Sequence, residues 1–150
     1  MRREAMSRGV SAERLIMAPM LWRDEHLARL QCADLFLDTL PFNAGTTCSD
    51  ALWMGLPVVP CAGDAFASRM AGSLLTAMGV PELITYNPKD YYRLALELAT
   101  DRKKLDAIRS RIIANRDTAP LFDSERFTRN LEAAYIRMLE ENGAKAGYEM

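Results

Sequence analysis

Residues 35–59, LFLDTLPFNAGTTCSDALWMGLPVV, determine the fold class of this chain because they follow the order strand, loop, helix, strand. The short apolar run at 35–37 stops at Asp38, and a loop containing Pro, Asn and Gly follows. A helix is predicted from Thr46 until the Gly and Pro that precede a second apolar run at 56–61. Short continuous apolar runs are typical of strands buried on both faces of a parallel sheet, so we predict an α/β fold.

The loop at 43–47 lies where an open parallel sheet binds its ligands. Such ligands bind beyond the carboxyl ends of strands, where the first turn of a helix presents unpaired N–H groups and a partial positive charge. Ala44 and Gly45 allow a close approach of the backbone, and the hydroxyls of Thr46 and Thr47 add donors. The loop therefore suits a phosphate group.

Asp50 is the only charged residue between Thr39 and Gly63, so its carboxylate needs a partner. A sugar diol is one candidate, because ribose hydroxyls donate well to a carboxylate. The spacing Thr47-x-x-Asp50 also fits a capping box, in which the carboxylate accepts a backbone N–H. The residues alone leave both interpretations open.

Composition excludes several function classes. The chain has 150 residues, of which 49% are hydrophobic and 26% charged, a balance typical of a folded domain. A formal charge of −1 argues against a nucleic-acid partner, and no apolar stretch is long enough to predict a membrane span or a secretory signal. Three cysteines and a single histidine favour neither a disulfide framework nor a zinc site. We therefore expect a cytoplasmic location and no metal.

The remaining segments extend this pattern outward. Residues 1–10 read as the end of a helix closed by Gly9, and further strands are predicted at 14–17 and 82–84. Helices are predicted to begin near Arg23 and after the small-residue turn at 62–65. Three more are predicted between 88 and 139, the last of them after a break at 122–124. Residues 143–150 are predicted to fray. Arg69, in the helix that follows the turn at 62–65, has two open assignments: it pairs with a phosphate, or it bridges to Asp64 or Asp50.

The stretch DTLPFNAGTTCSDALWMGLPVV, followed by GDAFASRMAGSLLTAMG, resembles the C-terminal catalytic segment of the O-GlcNAc transferases and their SPINDLY-like members. The resemblance runs from about residue 11 to about residue 139. It implies that Thr46, Thr47 and the helix they open hold the diphosphate of a UDP-sugar, and that Asp50 holds the ribose. Gly45 stands where the animal enzymes carry a histidine, which removes one contact to the donor.

The resemblance also assigns a role to the helix that begins near Arg23. The family pattern P-x-x-x-[KR]-x-E-H matches Pro19, Arg23, Glu25 and His26. It implies that His26 packs on the uracil ring, that Arg23 lies near the ribose and phosphates, and that the backbone around Leu21 recognises the uracil edge. His26 would then contribute affinity and orientation rather than proton transfer.

At the level of the whole protein, the resemblance implies the distal part of a Rossmann-like C-terminal lobe of a two-lobed, GT-B type glycosyltransferase. Residues 1–86 would form part of the UDP-sugar-binding lobe, and residues 87–150 would be helices packed on it. The expected activity is transfer of GlcNAc from UDP-GlcNAc to Ser/Thr hydroxyls of a protein acceptor, without a cofactor or metal.

The complete enzyme would add an upstream lobe and tetratricopeptide repeats. No residue of this chain is assigned a catalytic role, and the chain alone is expected to be inactive. The alternatives are a UDP-glucose-dependent protein N-glucosyltransferase and a non-catalytic nucleotide-binding or interaction module.

Overall fold

A computed structural model describes residues 1–141, and the tail predicted at 143–150 lies outside them. The chain is mainly helical around a small parallel sheet. Its elements are α1 (Arg2–Ser7), α2 (Arg23–Leu30), β1 (Phe36–Leu37), α3 (Thr46–Trp53), β2 (Val58–Val59), α4 (Phe66–Met78), α5 (Pro88–Thr100), α6 (Arg102–Asn115) and α7 (Ser124–Glu141), with short 3-10 turns at Ala12–Arg14 and Pro81–Leu83.

The predicted parallel pairing is confirmed for the two central strands. Phe36 lies opposite Val58 and Leu37 opposite Val59, and the Asp38 N–H donates to the Val59 carbonyl at 3.0 Å. Beyond β2, an isolated parallel bridge joins Cys61 to Thr85. Because the strands run in the same direction, their carboxyl ends meet at one edge of the sheet.

The strand predicted at 14–17 is wrong. Residues 12–14 form a 3-10 turn and the following residues are extended but unpaired, with the Ile16 side chain 87% exposed. An extended segment becomes a strand only when a neighbour takes its backbone hydrogen bonds. The part of the chain described by the structure supplies no such neighbour here.

The strand predicted at 82–84 is also wrong. Pro81 occupies the first position of a 3-10 turn, where its fixed φ is favourable and its missing N–H costs nothing. This turn leaves Leu83 fully buried, and only Thr85 reaches the sheet edge through the bridge to Cys61.

The predicted helix starts at 23, 46 and 88 are confirmed. α4 ends at Gly79, whose φ of +81° is a left-handed conformation that glycine adopts without strain. Asn115 at the end of α6 donates to the last α4 carbonyl, that of Met78, at 2.9 Å. α5 begins at Pro88 after Asn87, whose side chain accepts the Asp90 N–H at 2.9 Å.

One hydrophobic core joins α3, β2, α4, α5 and α6. Its fully buried large side chains, each less than 2% exposed, are Leu52, Leu56, Val58, Val59, Leu75, Met78, Val80, Leu83, Leu98 and Ile112. α3 packs against α2, α4 and β2, so its first turn is held firmly at the carboxyl edge of the sheet. No residue of α7 is buried.

Candidate functional site

The first turn of α3 presents free backbone donors at the sheet edge. Gly45 is the N-cap residue, and the first bond of the helix runs from the Ser49 N–H to the Gly45 carbonyl at 3.0 Å. Within residues 1–141, no acceptor takes the N–H groups of Gly45, Thr46, Thr47 or Cys48. Thr46 and Thr47 are exposed, so their hydroxyls are also available. Such a helix start can bind an anion.

A cleft of about 320 Å³ opens beside this helix start. It is lined by Phe36, Asp38, Thr39, Phe42, Asn43, Ala44, Gly45 and Thr47. A smaller apolar cavity of about 190 Å³ lies on the other side of the loop, between Phe42, Gly45, Phe66 and Met70. The loop therefore borders both a cleft of mixed polarity and an apolar cavity.

Asp50 does not cap the helix, so the capping-box interpretation is wrong. The N-cap is Gly45, and no side chain bonds to the free N–H groups of the first turn. Asp50 therefore lies too deep in the helix for its carboxylate to act as a cap. The side chain is half-buried and makes no hydrogen bond or ion pair with another residue of the described chain. Its carboxylate is available to a ligand.

Asp38, whose position in the sequence indicated only the end of a strand, is a buried carboxylate. Its side chain accepts the Thr39 N–H at 2.8 Å and the Ala44 N–H at 2.9 Å, both on Oδ1, and Tyr91 donates to its main-chain carbonyl at 3.0 Å. Burial raises the pKa of the Asp38 carboxyl, and the two backbone N–H groups partly oppose that rise. Asp38 thus fixes both ends of the loop at 39–44.

Asn43 is the second buried polar residue of the loop, with only 1% of its surface exposed. Its Nδ2 donates to the carbonyls of Thr39 at 3.0 Å and Cys61 at 3.3 Å, and its backbone N–H donates to the Ala67 carbonyl at 3.0 Å. Its Oδ1 is buried without a partner. Asn43 therefore ties the loop to the segment just beyond β2 and to the start of α4.

His26 and the segment before α2 form a second cluster. Arg29, one turn further along α2, donates to His26 Nδ1 at 3.0 Å and to the Pro19 carbonyl at 2.7 Å. Arg29 therefore orients the half-buried imidazole and holds the segment at 19–22. The spacing of three residues on a predicted helix was the available signal for this pair. The backbone of Leu21 makes no hydrogen bond within residues 1–141, and the Arg23 side chain is exposed.

The predicted site residues thus fall into two groups. Gly45 and Thr47 line one cleft, with Thr46 and Asp50 on the same helix, and α2 packs against that helix. Leu21, Arg23 and His26 do not line the cleft. Their joint action with the α3 start stays a prediction.

Arg69 lies outside both of these groups of predicted site residues. It forms an ion pair with neither Asp64 nor Asp50 in the described part of the chain, so the bridging alternative is wrong. Its side chain borders a cleft of about 460 Å³ between α4 and Tyr86, which is larger than the cleft at the α3 start. That larger cleft has no run of free backbone N–H groups from a helix start, whereas the cleft at α3 has one.

Residues 1–141 lack two further features, a cluster of metal ligands and a membrane-spanning helix. No group of three or more potential metal ligands occurs there. No helix of that part is both long and apolar enough to cross a membrane.

Cys48, on α3, has a thiol whose pKa is raised to about 12 by burial and by the nearby Asp38.

Comparison with known proteins identifies the family. Residues 1–131 match the sequence profile of glycosyl transferase family 41. The chain belongs to this family. It is 36% identical over 135 residues to the probable UDP-N-acetylglucosamine–peptide N-acetylglucosaminyltransferase SEC of Arabidopsis thaliana, covering 89% of this chain and 14% of the relative. It is 34% identical over 131 residues to the corresponding protein SPINDLY of Hordeum vulgare, covering 87% of this chain and 14% of the relative.

A solved O-GlcNAc transferase structure confirms the fold. The chain superposes on a variant of the O-GlcNAc transferase of Thermobaculum terrenum with a TM-score of 0.86 and 36% identity, covering 93% of this chain and 27% of that one. The predicted α/β fold class, the distal part of the C-terminal lobe of a GT-B glycosyltransferase, is thereby confirmed. The chain spans only a small fraction of the length of these family members.

Proposed function

We propose that this chain forms the donor-nucleotide-binding part of a UDP-GlcNAc-dependent protein O-GlcNAc transferase. The observation that carries the proposal is the start of α3, where four consecutive backbone N–H groups and two threonine hydroxyls stand free at the carboxyl edge of a parallel sheet. Family membership supplies the ligand class, because the matching relatives are named for UDP-N-acetylglucosamine. A diphosphate is the part of that donor that this helix start suits best.

The remaining parts of the nucleotide have candidate partners on α3 and α2. The free carboxylate of Asp50 is suited to accept hydrogen bonds from the ribose hydroxyls. The unpaired backbone at Leu21 is suited to the uracil edge, and the imidazole of His26, oriented by Arg29, presents a flat surface for the base. Arg23, exposed at the first turn of α2, supplies a positive charge for the ribose and phosphate region.

Stabilising the leaving group is the catalytic contribution that these residues can make. As the bond between GlcNAc and UDP breaks, negative charge develops on the diphosphate, and fixed N–H donors lower the energy of that state without reorganising. We assign the binding and activation of the Ser/Thr acceptor to an upstream lobe of the complete enzyme, together with tetratricopeptide repeats. The chain itself would act by holding the donor.

Titration calorimetry with UDP and with uridine tests this proposal. UDP should bind more tightly than uridine, because only UDP carries the diphosphate. Thr47→Val should reduce the UDP affinity and leave uridine binding unchanged. Thr128→Val, a matched change on exposed α7, should alter neither affinity. Equal binding of UDP and uridine would contradict a diphosphate site at α3.

Competition among sugar nucleotides distinguishes the donor. If UDP-GlcNAc displaces labelled UDP more effectively than UDP-glucose, the O-GlcNAc transferase assignment is supported. A clear preference for UDP-glucose would instead favour a protein N-glucosyltransferase.

A further inference from the structure

Two buried polar side chains, Asp38 and Asn43, form hydrogen bonds with the backbone of the loop that precedes α3. We call this pair of residues the loop clamp. Both are almost fully buried, with 4% and 1% of their surfaces exposed. The Asp38 carboxylate binds the N–H groups of Thr39 and Ala44, and the Asn43 amide binds the carbonyls of Thr39 and Cys61. The loop is thus bonded at both of its ends and to the segment just beyond β2.

The charge of Asp38 is unfavourable for the ligand that the site is proposed to bind. Asp38 and the free α3 donors border the same cleft, and a carboxylate repels a diphosphate at short range. Burial adds to this cost because it disfavours the ionised form. Direct contact with an anionic ligand therefore does not explain why a carboxylate occupies this position.

The Asp38 carboxylate instead fixes the geometry of the loop backbone. Asp38 Oδ1 accepts two N–H groups, and the Ala44 N–H that it takes comes immediately before the unpaired N–H of Gly45. Because the Asp38 carboxylate accepts the Ala44 N–H, the direction in which the chain enters Gly45 and the first turn of α3 is fixed. A preorganised set of donors binds an anion better than a set that must be ordered on binding.

We propose that Asp38 and Asn43 are positioning residues that hold the start of α3 in the geometry that binds the donor diphosphate. This inference rests on the proposed function, since it names what fixes that site. Neither side chain needs to touch the nucleotide. The clamp acts through the backbone of the loop at 39–45.

Three variants separate geometry from charge and from folding. Asp38→Asn keeps an Oδ1 that can accept both N–H groups and removes the charge, whereas Asp38→Ala removes the acceptor altogether. Asn43→Ala removes the side-chain bonds to the carbonyls of Thr39 and Cys61 and serves as an independent test should Asp38→Ala fold poorly. Asp34→Ala, an exposed carboxylate on the other side of β1, is the matched control.

The measurement is the ratio of UDP affinity to uridine affinity, determined for each variant on the same sample. A fall in the folded fraction lowers both apparent affinities equally, so the ratio reports the diphosphate contacts alone. Asp38→Ala and Asn43→Ala should lower the ratio by about tenfold or more, the loss expected when a charge-assisted contact is misplaced. Asp34→Ala should keep the ratio within about twofold of the parent value, and Asp38→Asn should keep or raise it, because the acceptor remains while the repelling charge is removed.

Amide hydrogen exchange provides the second readout. In Asp38→Ala the Ala44 amide should exchange faster than in Asp38→Asn, because its acceptor is gone. An unchanged affinity ratio in folded Asp38→Ala and Asn43→Ala would overturn the positioning role while leaving the proposed function intact. A large gain in UDP affinity in both Asp38 variants would also overturn it, since charge and not geometry would then dominate. A parent chain that does not prefer UDP to uridine would overturn the proposed function and this inference together.

Discussion

Asp50→Asn is the substitution that separates ligand binding from helix stability most clearly. The change keeps the size of the side chain and removes the negative charge. In the folded chain the Asp50 carboxylate makes no hydrogen bond or ion pair with another residue of the described part, and the α3 cap is Gly45. Its replacement should therefore alter the melting temperature very little.

The effect on UDP binding should be much larger. A hydrogen bond from a ribose hydroxyl to a carboxylate is charge-assisted, and its loss costs about 1.5 to 3 kcal/mol. At 1.4 kcal/mol for each factor of ten, this corresponds to roughly a 10- to 150-fold increase in the Kd for UDP. Uridine, which carries the same ribose, should weaken by a similar factor.

Calorimetric titration and a thermal melt on the same preparation provide the assay. Asp64→Asn, the same chemical change in the exposed turn before α4, is the control and should change neither quantity. A lower melting temperature with unchanged affinity for both ligands would refute the ribose assignment. It would show that the carboxylate serves α3 itself.

Three other predictions concern pH, thiol reactivity and catalysis. Because burial raises the pKa of the Asp38 carboxyl above 3.8, its contribution to stability is greatest at low pH and is lost as the pH rises from 3.8 through the raised folded-state value. The melting temperature of Asp38→Asn minus that of the parent, followed by circular dichroism, should therefore increase over this window and then level off; a difference that shrinks as the pH rises would contradict it. At pH 8, iodoacetamide should modify the exposed Cys32 and spare Cys48, because the Cys48 thiol is buried and its pKa is raised to about 12. Mass spectrometry of the digested protein measures the labelling of each cysteine, and rapid labelling of Cys48 would contradict the prediction. Incubation of the chain with labelled UDP-GlcNAc and a Ser/Thr-rich peptide should give no product above a heat-killed control, because effective molarity is lost without the acceptor wall of the cleft. Turnover by the chain would show that it is self-sufficient.

Local sequence patterns correctly predicted the elements whose formation depends mainly on residues that are neighbours in the sequence. The apolar runs at β1 and β2 and the Gly and Pro residues at helix ends gave the strand–helix–strand unit, and Pro88 marked the start of α5. The run at 14–17 has the same composition as a strand, yet it is unpaired because pairing depends on a neighbour that no local pattern shows. At 82–84 the preceding Pro81 favoured a 3-10 turn over a strand.

The candidate site shows the same division. Thr46, Thr47 and Asp50 could be singled out because their spacing and surroundings are unusual in the sequence itself. Asp38 and Asn43 could not be assigned, because their role depends on carbonyl and N–H groups brought to them by folding, including the carbonyl of Cys61. A buried polar side chain is recognised only when its surroundings are known.

Amide-resolved NMR titration of the chain tests the central claim most directly. Adding UDP should shift the backbone amide signals of Gly45, Thr46, Thr47 and Cys48 in a saturable way, whereas uridine should leave these four signals nearly unchanged. Shifts confined to the larger cleft beside Arg69, with the α3 signals unmoved by UDP, would contradict the assignment of the diphosphate to the start of α3.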